Sequence, residues 1–406
     1  MSRRSSFGYN SYRSRSYGTG GYSAKNRRHS KGKTAAIIIT VTAVIAAAVA
    51  ALILLLSGNK NGGGKSPQNS APPAESSVHV STEASKASQP EKKESSSPVS
   101  EFDPSVKGYY DGNVFMYGKS GFEMFYGTDD SAKRYAQVVS AVKKAVGKDV
   151  RVYNMVAPNH TPFGLPEKYL SQINDEKENI KTIYSSYTED VIPIDVYKTE
   201  QEHKNEYTYF RTDHNWTVLG AYYAYREMCA AMNTEAVKLD SLMKGAITDF
   251  KGSLFAATVT DETPDGNKEL ADSADTVAYY LMPYIESCIL LENGRDEEME
   301  VPMIATFASG SNAYSAFIWG NNPYMRVKTT QNTGRRLCII KDSYGCALAP
   351  FTTANFDEVF IVDPTFYEGD VSEFIRTNGY TDVLVINSVM SANTAFRADD
   401  IMTILG

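Results

Sequence analysis

Residues 102–406 predict an α/β domain in which helices cover both faces of a mainly parallel sheet. Three observations carry this. The runs Val150–Ala157, Leu337–Lys341, Val359–Val362 and Val383–Ile386 are predominantly apolar and short, as strands buried on both faces are. Stretches with helical spacing of apolar residues alternate with strands through the first half of the domain. The strands end on polar residues, Pro158-Asn159-His160, Asp342-Ser343, Asp363-Pro364 and Asn387-Ser388, which is how such a sheet presents a site.

In chain order, Gly112–Met116 and Phe122–Phe125 read as short aromatic strands separated by a glycine-containing turn. Ser131–Val146 follows as a helix with Tyr135, Val138, Val139, Val142 and Val146 on one face. Lys168–Tyr187 predicts a second helix and Val191–Val196 a strand. Thr212 and Asp213 are then natural caps for a helix whose apolar residues Val218, Ala221, Tyr222, Tyr225 and Met228 share a face. Between 245 and 324 the rhythm changes to β-rich runs joined by turns, without a convincing helix, and predicts an insertion or lid. The loop Gly320-Asn321-Asn322-Pro323-Tyr324 returns the chain to the sheet. Beyond Ser343, Cys346–Asn355 reads as helical though broken by Pro350.

The first hundred residues are of another kind. Residues 1–33 hold six Arg and three Lys and no acid, so this arm carries +9 and the remainder −16 to reach the net charge of −7. Rich in Ser, Tyr and Gly as well, the arm predicts disorder. Residues 34–56 follow without a single charge, long enough at ~1.5 Å per residue to cross a hydrocarbon core of ~30 Å. The expectation is one transmembrane helix, with the basic arm cytoplasmic and the C-terminal domain outside. The Ser/Pro-rich residues 57–101 predict a flexible stalk with a root-mean-square span of roughly 35–40 Å. Acids outnumber bases in 102–406, which argues against a nucleic-acid partner. Cys229, Cys288, Cys338 and Cys346 form no CxxC pair and no cluster with His, so the sequence calls for no metal or other cofactor, and their pairing stays open.

Ser343 is the best nucleophile candidate, because a strand-to-helix turn exposes a serine Oγ above the carboxyl edge of a parallel sheet. The plainer alternative is that Asp342 and Ser343 only cap the next helix. A serine needs a base, and outside the arm and stalk the only imidazoles are His160, His203 and His214. His203 lies in a polar stretch, and His160 ends a strand, where a supporting role fits. His214 is flanked by Asp213.

Thr212-Asp213-His214-Asn215-Trp216-Thr217 with Gly220-Ala221, Lys341-Asp342-Ser343-Tyr344-Gly345 with Pro350, and Val362-Asp363-Pro364 together resemble the DHHW family of surface proteins. That family is in turn similar to the SGNH-hydrolase-like domains of alginate O-acetyltransferases. The resemblance implies a circularly permuted, three-layer SGNH-like domain with Asp213 as orienting carboxylate and Ser343 as acyl-accepting nucleophile. The base of the acetyltransferase pattern immediately precedes Trp, where this chain has Asn215. An amide cannot accept the serine proton, so His214 takes that role, His160 substitutes, or the chemistry is lost. For the oxyanion or substrate the resemblance implies a glycine N–H and an asparagine side chain, for which Gly320, Asn321, Asn215 and Asn159 are candidates, with Asn387 at another strand end. The implied activity is O-acetyl transfer or acetyl-ester hydrolysis on a cell-surface polysaccharide, with a membrane-bound O-acyltransferase as donor partner. The alternative is a non-catalytic carbohydrate-binding or envelope-assembly protein that keeps the fold.

Overall fold

The apolar run Leu337-Cys338-Ile339-Ile340 has no face to turn to water and becomes the centre of the molecule. A computed structural model describes residues 102–103 and 105–406; the predicted arm, transmembrane helix and stalk lie outside the described residues. The short strands β1 (Tyr109–Asp111), β2 (Val114–Tyr117) and β3 (Ser120–Phe122) form a three-stranded antiparallel sheet. The main sheet has eight strands: β4 (Arg151–Ala157), β5 (Val191–Ile194), β8 (Ile285–Leu291), β9 (Met299–Glu300), β10 (Tyr324–Thr329), β11 (Arg336–Lys341), β12 (Glu358–Val362) and β13 (Asp382–Ser388). Their spatial order is β5-β4-β13-β11-β12-β10-β8-β9, parallel from β5 to β12 and antiparallel beyond.

Side chains alternate between the two faces with the period of two that strands impose. Leu337, Ile339, Leu384 and Ile386 enter one core, while Cys338, Ile340, Val383 and Val385 enter the other. Helices α3 (Val218–Ala231) and α4 (Tyr344–Thr352) supply the first core. Helices α1 (Asp129–Val146), α2 (Glu176–Ser185), α5 (Val371–Thr377) and α6 (Ala395–Thr403) supply the second. All four cysteines are buried and free.

After β11 the chain leaves to β12 on one side, then crosses back to β13 on the other. Strand order therefore reverses at β11, and the crevice at the carboxyl ends of β4, β13 and β11 is where α/β sheets bind ligands. Asn159, Ser388 and Ser343 lie at or just beyond those three ends.

Four local expectations change. The helix predicted over 168–187 is two helices, Glu167–Leu170 and α2. Leu170 and Ile173 pack on the small sheet's core whereas Ile180 and Ile183 pack on the main one, so the chain breaks between them and restarts at Asp175, whose carboxylate caps Lys177 and Glu178. The segment 245–324 divides. Strands β6 (Met243–Phe250) and β7 (Asp275–Leu281) make a separate ribbon with short helices Ser253–Ala256 and Lys268–Ala271 between them, while β8 and β9 extend the main sheet. Cys288 and Leu290 alternate into the core, which fixes β8 against β10. Helix α3 is capped by Thr217, whose hydroxyl accepts from Leu219 N–H at 3.2 Å, rather than by Thr212 or Asp213. Helix α4 runs through Pro350 without a break, from Tyr344 rather than Cys346.

Candidate active site

The loop 207–217 ahead of α3 is held from outside by one carboxylate. Asp275, at the start of β7, accepts the backbone N–H of Arg211 at 3.0 Å and of Thr212 at 2.8 Å, and the Thr212 hydroxyl at 2.6 Å; the Tyr207 hydroxyl also donates to it. Fully buried Trp216 donates its indole N–H to the carbonyl of Tyr344 at 2.9 Å, joining this loop to the turn after β11. Gly220 is required where it stands, because a Cβ there would lie 2.6 Å from the carbonyl oxygen of Thr208.

On the other side, Ser343 occupies the N-cap position of α4 but makes no capping bond through its hydroxyl. Asp342 takes that work instead, accepting Tyr344 N–H at 3.0 Å and Ser388 N–H at 2.8 Å. The Ser343 hydroxyl is left free to face the loop. It donates to Asn215 Oδ1 at 2.9 Å, and His214 Nε2 lies 3.4 Å from the same oxygen. The Tyr314 hydroxyl donates to the Ser343 carbonyl at 3.0 Å.

Asn215 completes a chain to Asp213. Its side-chain amide donates to Asp213 Oδ1 at 2.7 Å and its backbone N–H to the same oxygen at 2.9 Å, while Ser253 N–H reaches Oδ2 at 2.8 Å. Burial opposes ionisation of Asp213, but the neighbouring His214 charge and these N–H donors prevail and hold its pKa below the usual range. His214 shows the converse balance: burial disfavours its cation, yet Asp213, then Glu123 and Asp342, raise its pKa above 6.5. Its Nδ1 lies 2.7 Å from Ser253 Oγ, and its carbonyl accepts the Tyr344 hydroxyl at 2.5 Å.

A small cleft opens here, lined by Glu123, Asn159, His160, Asp213 and His214. Asn159 turns a buried side-chain N–H group to which no partner is bonded, and its backbone N–H is held by Glu176 at 2.9 Å. His160 is half-buried with its Nδ1 shielded from solvent, stacked on Tyr209 at 5.1 Å, and pushed down to about 4 by desolvation and by Arg211. No hydrogen bond joins it to Ser343. Gly320 and Asn321 stand behind the start of α4. Asn321 accepts Lys341 Nζ at 2.8 Å, and Lys341 is itself paired with Asp363 at 3.2 Å, so that amide is engaged in a buried ionic network. Asn387 accepts the Tyr135 hydroxyl at 2.8 Å on the α1 side of the sheet. His203 stacks on Tyr223 and pairs with Glu206 at 2.7 Å, remote from the cleft lining. Among the described residues no group of three or more His, Cys, Asp or Glu side chains is arranged to hold a metal ion.

The sequence motifs thus meet in space, with Ser343 against both His214 and Asn215. Ser253, Tyr314, Glu123 and Asp275 enter the site unannounced by any motif. Asp275 opens a strand in a segment that reads as an insertion or lid, and Ser253 begins a short helix in the same segment.

The DHHW protein family model matches residues 99–362, most of the described domain. The chain belongs to the DHHW family. A DHHW family protein of Eubacterium siraeum is 30% identical over 74% of this chain and 98% of its own, with a TM-score of 0.67. Bacillus cereus PatB1, solved bare and with a sulfonyl adduct, is 17% identical over 72% of this chain and superposes with a TM-score of 0.57, covering 99% and 97% of its two structures. That likeness shows a common mixed α/β fold with a large sheet. No curated protein sequence matches the chain. Where the family's name spells Asp-His-His-Trp, this DHHW protein has Asp213-His214-Asn215-Trp216, and the amide at 215 lies between Ser343 and Asp213.

Proposed function

We propose that this DHHW protein transfers or removes an acetyl group on a cell-surface polysaccharide through an acyl-serine at Ser343. The observation that carries the proposal is the Ser343 hydroxyl at the sheet's switch point, released from capping and held by Asn215, with His214 Nε2 3.4 Å away. Likeness of fold to PatB1 supports a polysaccharide-modifying role.

His214 is the base. Ser343 Oγ attacks the ester carbonyl, a C–O bond forms, and the serine proton passes to His214 Nε2. Asn159 lines the cleft beside His214 and its side-chain N–H lacks another partner, which makes it the donor we assign to the developing oxyanion; one such donor is worth ~3 kcal/mol in other hydrolases. Collapse expels the donor alcohol, which takes the proton back from the imidazolium. A sugar hydroxyl or water, deprotonated by His214, then releases the acyl group. Asn215 cannot accept a proton; it holds the resting hydroxyl and links it to Asp213. Within the same proposal, residues 34–56 tether the domain outside the membrane, and a membrane-bound O-acyltransferase delivers the acyl group.

The test is intact-mass detection of an acetyl adduct after incubation with 4-nitrophenyl acetate. An adduct on Ser343, absent in Ser343→Ala, is the expected result. No adduct, with ester turnover unchanged in Ser343→Ala, overturns the enzyme reading in favour of a non-catalytic carbohydrate-binding protein.

A further inference from the structure

A neutral imidazole can take the serine proton at Nε2 only if its one proton sits on Nδ1, and that tautomer needs an acceptor facing Nδ1. In this chain the Asp213 carboxylate does not supply it. Both Asp213 oxygens are engaged by Asn215 and by Ser253 N–H. The atom facing His214 Nδ1 is Ser253 Oγ at 2.7 Å, which also lies 3.4 Å from the His214 backbone N. We infer that Ser253 is the positioning residue of this active site: it fixes the tautomer and rotamer of His214, and Asp213 acts on the imidazole at one remove, by holding Ser253. The inference deepens the proposed acyl-transfer reading and rests on it for its catalytic consequence.

The placement of Ser253 is built rather than incidental. Three bonds staple its segment to the loop that bears His214: Gly252 N–H to Thr212 Oγ1 at 3.0 Å, Ser253 N–H to Asp213 Oδ2 at 2.8 Å, and Phe255 N–H to the Thr212 carbonyl at 3.0 Å. Gly252 lets the segment come this close, since a Cβ there would meet Asp213 Cβ at 2.3 Å. The contact also joins regions distant in sequence, because Ser253 belongs to the short helix between β6 and β7. That ribbon, part of a segment expected to be an insertion or lid, thereby contributes a side chain to the proposed reacting centre. Asp213, Glu123 and Asp342 all place negative charge toward the same imidazole and favour its cation. Ser253 Oγ is the atom facing Nδ1, and by accepting there it leaves Nε2 bare toward Ser343.

The test uses the full-length chain with isotope-labelled imidazole nitrogens and the variants Ser253→Ala and Ser253→Thr. Ser253 is exposed, so neither variant threatens the core. The expected result is a His214 protonated on Nδ1 in the parent and in Ser253→Thr, with mixed tautomers in Ser253→Ala. Turnover of 4-nitrophenyl acetate falls about ten-fold in Ser253→Ala, in kcat rather than KM, and recovers in Ser253→Thr, the scale of one lost hydrogen bond. Unchanged tautomer populations and an unchanged pH–rate profile in Ser253→Ala overturn the inference. Labelling of Ser343 by a sulfonyl fluoride in the parent is scored separately. If Ser343 is not labelled, the proposed reaction falls, while the tautomer measurement still decides the role of Ser253.

Discussion

Replacing Asn215 by His tests the whole arrangement in one step. Asn215 donates to Asp213 at 2.7 Å and accepts from Ser343 at 2.9 Å, so an imidazole placed there would meet an orienting carboxylate at one nitrogen and the nucleophile at the other. The parent must instead use His214, whose Nε2 stands 3.4 Å from Ser343, beyond the normal range for a hydroxyl hydrogen bond. A well-placed general base contributes about 10²–10⁴ in rate. Taking the lower end for the improvement over His214, acylation of Asn215→His rises about 100-fold, equivalent to roughly 2.7 kcal/mol of barrier. A larger side chain at a buried position costs about 1–3 kcal/mol of stability, so a lower Tm accompanies the gain. The assay is the burst of 4-nitrophenol from 4-nitrophenyl acetate, run with His214→Ala in both backgrounds. His214→Ala silences the parent but spares the Asn215→His protein, and this non-additivity shows that the base has moved. In the parent the base must be neutral, so the rate falls as pH drops through the His214 pKa, which lies above 6.5. An Asn215→His protein no faster than the parent, with Ser343 still acylated, would refute the assignment of position 215 to the proton-transfer path.

Glu176 is buried and held at about 8, mainly by desolvation, against 4.5 for the free side chain. Between those values the folded state binds the proton that the unfolded state has released, so stability falls as pH rises, by at most about 1.4 kcal/mol per pH unit. Urea titrations from pH 5 to pH 8 will show that slope in the parent and a flatter one in Glu176→Gln. Asp275→Ala leaves the buried backbone N–H of Thr212 without its partner and lowers urea stability by about 1–3 kcal/mol. Acylation of Ser343 slows with it, because the 207–217 loop loses its anchor; a variant as stable and as fast as the parent contradicts that role.

The buried strands were legible in the sequence because they need apolar residues at nearly every position, and the Asp342-Ser343 turn because it follows one of them. Segment 245–324 was not. A strand with one buried face, such as β8, shows the same alternation whether it edges the main sheet or forms a separate ribbon, and only pairing with β10 decides. Ser253 carried no signal at all: its value comes from three bonds to residues some forty positions earlier, which no local pattern encodes. Position 215 is the instructive case. An asparagine and a histidine both offer a donor at one end and an acceptor at the other, so either satisfies Asp213 and Ser343 and either preserves the loop. Folding depends on those hydrogen bonds alone, whereas proton transfer depends on basicity, which the amide lacks. An asparagine at 215 therefore leaves the architecture untouched, and under the proposed reaction the proton goes to the adjacent imidazole, an arrangement that becomes visible only when His214, Ser253 and Ser343 are seen together.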